Sequence, residues 1–472
     1  MEKNTSESTI EKLIKESNER YIQEELVPFL SIPSNTLNKE GINQAKEYIL
    51  SYISGFCENI EIFEGEYNPL IVARIEGESR EQLLIYMMYD TQPISNASKW
   101  ISDPFGASLK KLPPPLEELG NCLIARGAFN SKTPLLNFLN VVKTLKKHEA
   151  LGISLLLLFD GEEEIGSPSL IKFLKSNKRI FNDVIGAYYP SAKQGVSGEA
   201  VLKLGYKGIL SMSLKTTSLN SEPHSSFSRL IPNPVLDLIG IINRIYSNNS
   251  FHIKSLATPY KMSMEESLIL DDLLKTIDLE NIKKKAGIKA MTSKNGHRAL
   301  LDYLFNSTFN ISTIKAGYLE KGIKNHVPNE ATCNIDIRFA HDISIDEIFG
   351  EIKEIVDNMS SSLQSEVSLV KNMGYEGSRV GKNSNLVKSL VSSFQKLHVN
   401  TEIWPISPAA APLSQIKRLL GIEFIVGGLG IGGFAHSPNE FIQVESIVNS
   451  RLCNYYFLKK YYESIDQNLS NS

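Results

Sequence analysis

Phe159-Asp160-Gly161-Glu162-Glu163-Glu164-Ile165-Gly166-Ser167 is the stretch on which the reading of this chain turns. It follows a nearly continuous apolar run, Ile153 to Leu158, with turn signals on either side. Such a run reads as a strand buried on both faces in a parallel sheet. The three glutamates then lie just past the carboxyl end of a buried strand, where open α/β sheets place their ligands. Crowding carboxylates there costs Coulomb repulsion unless a cation or a raised pKa relieves it. A bare triple Glu is more often a solvated acidic loop, so its neighbours must decide.

Upstream, helical and strand patterns alternate. Thr9 to Leu30 carries apolar residues at helical spacing and is broken at Ile32-Pro33-Ser34. Asn43 to Phe56 is a second amphipathic helix, Asn68 to Ile75 and Gln82 to Met88 are strand-like, and a helix is entered at Pro134. Downstream come a helix from Pro168 and a strand, Val184 to Tyr189, which complete a βαβ rhythm. After Gly205 the style changes to alternating strands: Ile209 to Thr216, Asn310 to Ala316, Ala331 to Phe339 and Glu366 to Lys371. With helices at Asn233 to Tyr246 and Ser344 to Met359, this predicts an antiparallel sheet carrying two helices on one face. From about Ser384 the buried α/β style resumes, ending in the strand Glu423 to Gly427. The expected organisation is an α/β domain over 1–205 and 383–472, interrupted by a smaller α+β domain over 206–382.

Composition sets outer limits. A chain of 472 residues is too long for one core, and 42% apolar with 22% charged residues is ordinary for a globular protein. A net charge of -3 and the lack of a long basic block argue against nucleic acid as a partner. No signal-peptide core opens the chain, and no run of about 18 apolar residues predicts a membrane span. The four cysteines, Cys57, Cys122, Cys333 and Cys453, have no paired metal-binding spacing. A reducing, cytoplasmic setting is expected.

Several motifs follow one another in a telling order: Ile85 to Pro93, Trp100 with Asp103-Pro104-Phe105, Arg126-Gly127-Ala128, the Glu-rich turn, Pro223-His224-Ser225, and His436-Ser437-Pro438-Asn439-Glu440. In this order the chain resembles the di-zinc amidohydrolase and metallopeptidase family of carnosinase, aminoacylase, acetylornithine deacetylase, succinyl-diaminopimelate desuccinylase and glutamate carboxypeptidase, as a divergent member. The resemblance implies a zinc-peptidase-like mixed sheet flanked by helices, with an inserted α+β lid/dimerisation domain. It also implies two zinc ions sharing a bridging Asp, and a Glu general base that deprotonates the metal-bound water.

Carried over position by position, the resemblance puts Glu163 at the general base, Glu164 at a zinc-binding Glu and His436 at a zinc-binding His. Asp90 falls at the acid that supports a ligand in the family's His-x-Asp motif, but the histidine of that motif is Met88 here. The bridging Asp is Asn130, and the last ligand Asp aligns with Tyr189. His224 aligns with a lid histidine that holds the substrate carbonyl across the dimer. Asn325 and Arg338 align with residues that meet a substrate carboxylate, a task suited to an Arg fork. The glycine-rich carboxylate loop is replaced by Ser407-Pro408-Ala409-Ala410-Ala411-Pro412.

A thioether is a poor zinc ligand, a neutral amide is weaker than a carboxylate, and a tyrosine must lose a proton of pKa about 10. Losing even an outer-sphere partner costs about 10- to 100-fold in metal affinity. The expectation is therefore at most one zinc ion, at Glu164, His436 and the Asn130 amide, or none. Three readings stay open. The first is a family member with a degraded di-metal site, homodimeric or joined through its lid domain to an active paralogue. The second is a one-metal hydrolase of a peptide or N-acyl amino acid with Glu163 as general base. The third is a non-enzymatic amino-acid or peptide-binding protein.

Overall fold

The computed structural model of the chain describes residues 2–470 except positions 292 and 294. It divides into two compact units: residues up to Leu204, with Val380–Trp404 and everything from Ile416, form the first; Gly205–Arg379 with Pro405–Gln415 form the second.

The first unit is built on a six-stranded sheet of β1 (Asn59–Phe63), β2 (Leu70–Ile75), β3 (Ser79–Met88), β4 (Ile153–Asp160), β5 (Val184–Pro190) and β6 (Glu423–Gly427). Their spatial order is β1-β2-β4-β3-β5-β6. Every residue of β4 is buried, as its unbroken Leu-rich run requires. One neighbour differs from the expectation of a parallel sheet: β4 runs parallel to β3 but antiparallel to β2. An apolar run reports burial on both faces and carries no sign for the direction of the strand beside it, so the sheet is mixed. The amphipathic helix Lys132–Lys147 buries Leu135, Leu136, Phe138, Leu139, Val141, Val142 and Leu145.

A small antiparallel sheet in the same unit positions the site. Phe441–Gln443 pairs with Gly432–Gly433 on one side and with Cys122–Ile124 on the other. This pairing clamps the loop carrying His436 beside the segment that leads into Asn130. Phe434, His436 and Asn439 in that loop all have left-handed backbones, with φ of 59°, 63° and 65°. Each such non-glycine conformation costs roughly 1–2 kcal/mol, and the flanking strand pairs hold it in place.

The second unit is an antiparallel sheet ordered Thr308–Ala316, Glu330–Phe339, Gly205–Thr217, Glu366–Tyr375. Leu210, Met212 and Leu214 alternate toward one face and pack with Leu238, Ile241 and Ile245 of helix Pro234–Ile245 and with Ile348, Ile352 and Val356 of helix Ile345–Ser360. Both helices start at side-chain caps, Asn233 accepting from the Val235 N–H and Ser344 from the Glu347 N–H. The predicted antiparallel sheet with two helices on one face is thus present. Among the described residues no helix is long and apolar enough to cross a membrane, and all four cysteines are free thiols.

Candidate functional site

The Glu-rich turn does not crowd three carboxylates into one place. Glu162 is fully buried and spends its charge on backbone, Oε1 accepting from the N–H groups of Tyr67 (2.6 Å) and Asn68 (2.9 Å) and Oε2 from that of Ser169 (3.1 Å). It ties the turn to the loop before β2 and is a structural anchor. Glu163 and Glu164 face the site.

Glu164 gathers donors from three distant segments. Its Oε1 accepts from Nδ2 of Asn130 at 3.0 Å. Its Oε2 accepts from Nε2 of Gln92 at 2.9 Å and lies 3.2 Å from Nε2 of His436. Gln92 also donates to the Glu164 carbonyl oxygen at 2.9 Å, which fixes both ends of the residue. Asn130 Nδ2 is in turn 3.1 Å from His436 Nε2. Hydrogen bonding to Glu164 raises the pKa of His436 against the opposing effect of burial.

Asp90 lies behind this group. Its Oδ2 accepts from Thr36 Oγ1 at 2.8 Å and from the Glu164 N–H at 3.1 Å. Its Oδ1 is buried without a hydrogen-bond partner. Burial, then the negative charges of Asp160, Glu163 and Glu164, push its pKa well above the usual carboxylate range. Met88, two residues earlier, is buried and pairs in register with Asp160. Its side chain offers a thioether where the resemblance calls for an imidazole. Tyr189 is buried at the end of β5, its ring edge-on to Tyr86 at 5.2 Å, and the Tyr86 hydroxyl donates to Asp160 at 2.8 Å.

Glu163 is pushed up to about 8, first by burial and then by the charges of Glu164 and Asp160. Lys193, in the loop after β5, is the cation that pulls it back most, and burial holds Lys193 itself below its usual range. Burial and these neighbouring charges therefore favour the protonated form of Glu163.

The structure brings Asn130, Glu164 and His436 into direct contact, with Asp90 against the Glu164 backbone. The candidate substrate residues belong to the second unit. His224 is exposed, its Nδ1 accepts from the Ser226 N–H at 3.2 Å, and its backbone pairs with that of His326. The Asn325 carbonyl accepts from the Ser225 N–H at 3.1 Å. Arg338 lies at the far end of the strand Glu330–Phe339, about 26 Å along it at ~3.3 Å per residue, with Nε 3.9 Å from Asp336 Oδ2.

Three contributors had escaped assignment. Gln92 and Glu440 stand inside motifs already quoted, and a polar residue flanking a ligand position is the signal that would have marked them. Lys193 has no signal in the sequence. Glu440 is the most thoroughly held carboxylate near the site: it pairs with the buried Arg126 at 2.9 Å and accepts from the N–H groups of Gly127 (3.0 Å), Phe129 (3.0 Å) and Asn130 (2.9 Å).

The donor set does not fit two metal ions. Among the described residues no three His, Cys, Asp or Glu side chains are grouped to hold a metal. The positions that the resemblance gives to the second ion carry a thioether and a phenol, which are weak zinc donors at neutral pH. What is left for one ion is Glu164, His436 and the carboxamide of Asn130.

Comparison with known proteins places this arrangement. The Cys-Gly metallodipeptidase of Schizosaccharomyces pombe is 23% identical over 324 residues, which cover 66% of this chain and 64% of that protein. The Beta-Ala-His dipeptidase of Rattus norvegicus is 22% identical over 277 residues, covering 57% and 54%. The chain thus spans less than two thirds of the length of either relative. An M20 family metallo-carboxypeptidase from Sulfolobus solfataricus superposes with a TM-score of 0.81 at 26% identity, covering 93% of this chain and 98% of that one. With residues 84–459 matching the model of peptidase family M20/M25/M40, the chain belongs to that family.

Proposed function

We propose that this chain is a peptidase-like member of the family that does not carry out two-metal hydrolysis, and that its site receives a small peptide or an N-acyl amino acid. The observation that carries this reading is the Asn130 carboxamide, whose Nδ2 donates to Glu164 at 3.0 Å and lies 3.1 Å from His436 Nε2 where the resemblance calls for a bridging carboxylate. A neutral amide cannot share its charge between two cations. Met88 and Tyr189 at the other ligand positions point the same way. Glu163 adds to the argument: with its pKa at about 8, it holds its proton at neutral pH and is not a ready general base. A cation bound at Glu164 and His436 would supply polarisation of a ligand carbonyl. The protein's own share is to orient that carbonyl and to hold a proton on Glu163 beside Lys193.

The test is metal per chain, by elemental analysis of protein purified without chelator and then offered zinc, together with a hydrolysis screen over dipeptides and N-acyl amino acids. Fewer than two ions, with calorimetric binding of at least one such ligand in chelator, is the expected result. Two tightly held ions with turnover would overturn the reading.

A second reading, a subunit that complements an active paralogue, is favoured by His224, whose side chain is exposed on the second unit. Isolation of a hetero-oligomer from the native source supports it, and a strict homodimer or monomer removes it. The four free thiols suit a reducing, cytoplasmic setting for either assembly.

A further inference from the structure

A cleft of about 400 Å³ opens in the first unit between the end of β1, the edge strand of its sheet, and the helix Leu170–Ser176. That volume lies in the range of small-molecule sites. Phe63, the last residue of β1, and Phe173 of the helix line it, their rings edge-on with centroids 4.9 Å apart. Glu64 and Glu66 border the cleft from the loop after β1, and Lys172 borders it from the helix. Among the described residues none of these three charged side chains has an ion-pair partner. Two carboxylates alone would read as a solvated rim. Here charges of both signs frame an aromatic pair, so an apolar group is favoured against the rings, an ammonium at Glu64 and Glu66, and a carboxylate at Lys172.

The walls of the cleft are bonded to the Glu-rich turn. Ser169 Oγ accepts from the Glu66 N–H at 2.7 Å, which ties the loop to the residue before the helix. Glu162 accepts from the N–H groups of Tyr67, Asn68 and Ser169 and so holds both walls. Gly65 lies so close to it that an added Cβ would sit 2.5 Å from Glu162 Oε1. A ligand that draws the loop toward the helix therefore acts on the residue immediately before Glu163 and Glu164, through a continuous set of hydrogen bonds.

We infer that this cleft binds a free α-amino acid with an aromatic or large aliphatic side chain, its ammonium at Glu64 and Glu66 and its carboxylate at Lys172, and that its occupancy is transmitted to the Glu-rich turn. The inference goes beyond the proposed function and does not depend on it, since Asn130, Glu164 and His436 do not line the cleft.

The experiment is calorimetric titration of the full chain with L-phenylalanine, compared with 2-phenylethylamine, which lacks the carboxylate, and 3-phenylpropionate, which lacks the ammonium. Each titration is repeated on Glu64→Gln/Glu66→Gln and on Lys172→Met, all at exposed positions where the fold tolerates the change. L-Phenylalanine is expected to bind the wild type with a Kd on the order of 1 mM. Both truncated probes should bind at least about threefold more weakly, as should L-phenylalanine to either variant. Hydrogen exchange should slow in residues 64–69 and 161–167 of the wild type when L-phenylalanine is added. No binding at about 20 mM, equal affinity in both variants, or a truncated probe that binds as well as the amino acid overturns the site. Unchanged exchange in residues 161–167 at saturation overturns its link to the turn. None of these results bears on the metal content or ligand binding by which the proposed function is judged.

Discussion

Asn130 stands between two carboxylates that the fold treats in opposite ways. Its backbone N–H runs to Glu440, which is buried with an Arg partner and three amide donors. Its side chain reaches Glu164, which also accepts from Gln92 and lies 3.2 Å from His436 Nε2. One carboxylate is a fully paired structural joint, and the other gathers polar side chains from three distant segments.

The comparison breaks most visibly at Glu440. Glu440→Ala leaves the Arg126 guanidinium buried and uncompensated, and should cost about 3–5 kcal/mol, read as a lower urea midpoint with an unchanged slope. A loss under about 1 kcal/mol would mean the joint is not what fixes Asn130.

The next effect is pH-dependent. Glu163 keeps its proton up to about 8 in the folded chain, while the unfolded chain releases it near 4.5. Between those values the unfolded state binds fewer protons, so this residue makes stability fall as pH rises. Glu163→Gln should match the wild type near pH 4 and exceed it near pH 9, by up to about 5 kcal/mol. Parallel stability curves for the two proteins would show that Glu163 is not held protonated.

Gly127→Ala tests the joint from the backbone. Gly127 has φ of +87°, and an added Cβ would lie 3.0 Å from Thr91 Cγ2 and 3.1 Å from Ser131 Oγ. A loss of about 1–2 kcal/mol is expected, measured by thermal unfolding. The smallest effect belongs to Asp90→Asn. It keeps an acceptor for Thr36 while removing a carboxyl whose Oδ1 has no partner. A change within about 1 kcal/mol is expected. A loss above 3 kcal/mol would mean that the ionised carboxylate of Asp90 is needed.

The fold was largely legible because its signals are local. The Leu-rich run of β4 reports burial, the alternation in Gly205–Thr217 reports a sheet with one covered face, and Asn233-Pro234 reports a helix start. The antiparallel partner of β4 was not legible, because burial is blind to the direction of a neighbour. At the site, motif order pointed to Asp90, Asn130, Glu164 and His436. The division of labour among the three glutamates did not show: Glu162, Glu163 and Glu164 are identical in the sequence and separate only through the backbone that each one meets.

The sequence by itself determined the α/β architecture with its inserted antiparallel unit, and the family. These follow from residue type and spacing, which act within a few residues of each other. Only the tertiary structure decided that Glu440 would anchor the Asn130 segment, that Glu163 would hold a proton, and that His436 would close a triangle with a residue 306 positions away. Those outcomes depend on burial and on contacts between distant segments. A charge acquires its cost, and an amide its partners, only when the folded chain has excluded the water around them.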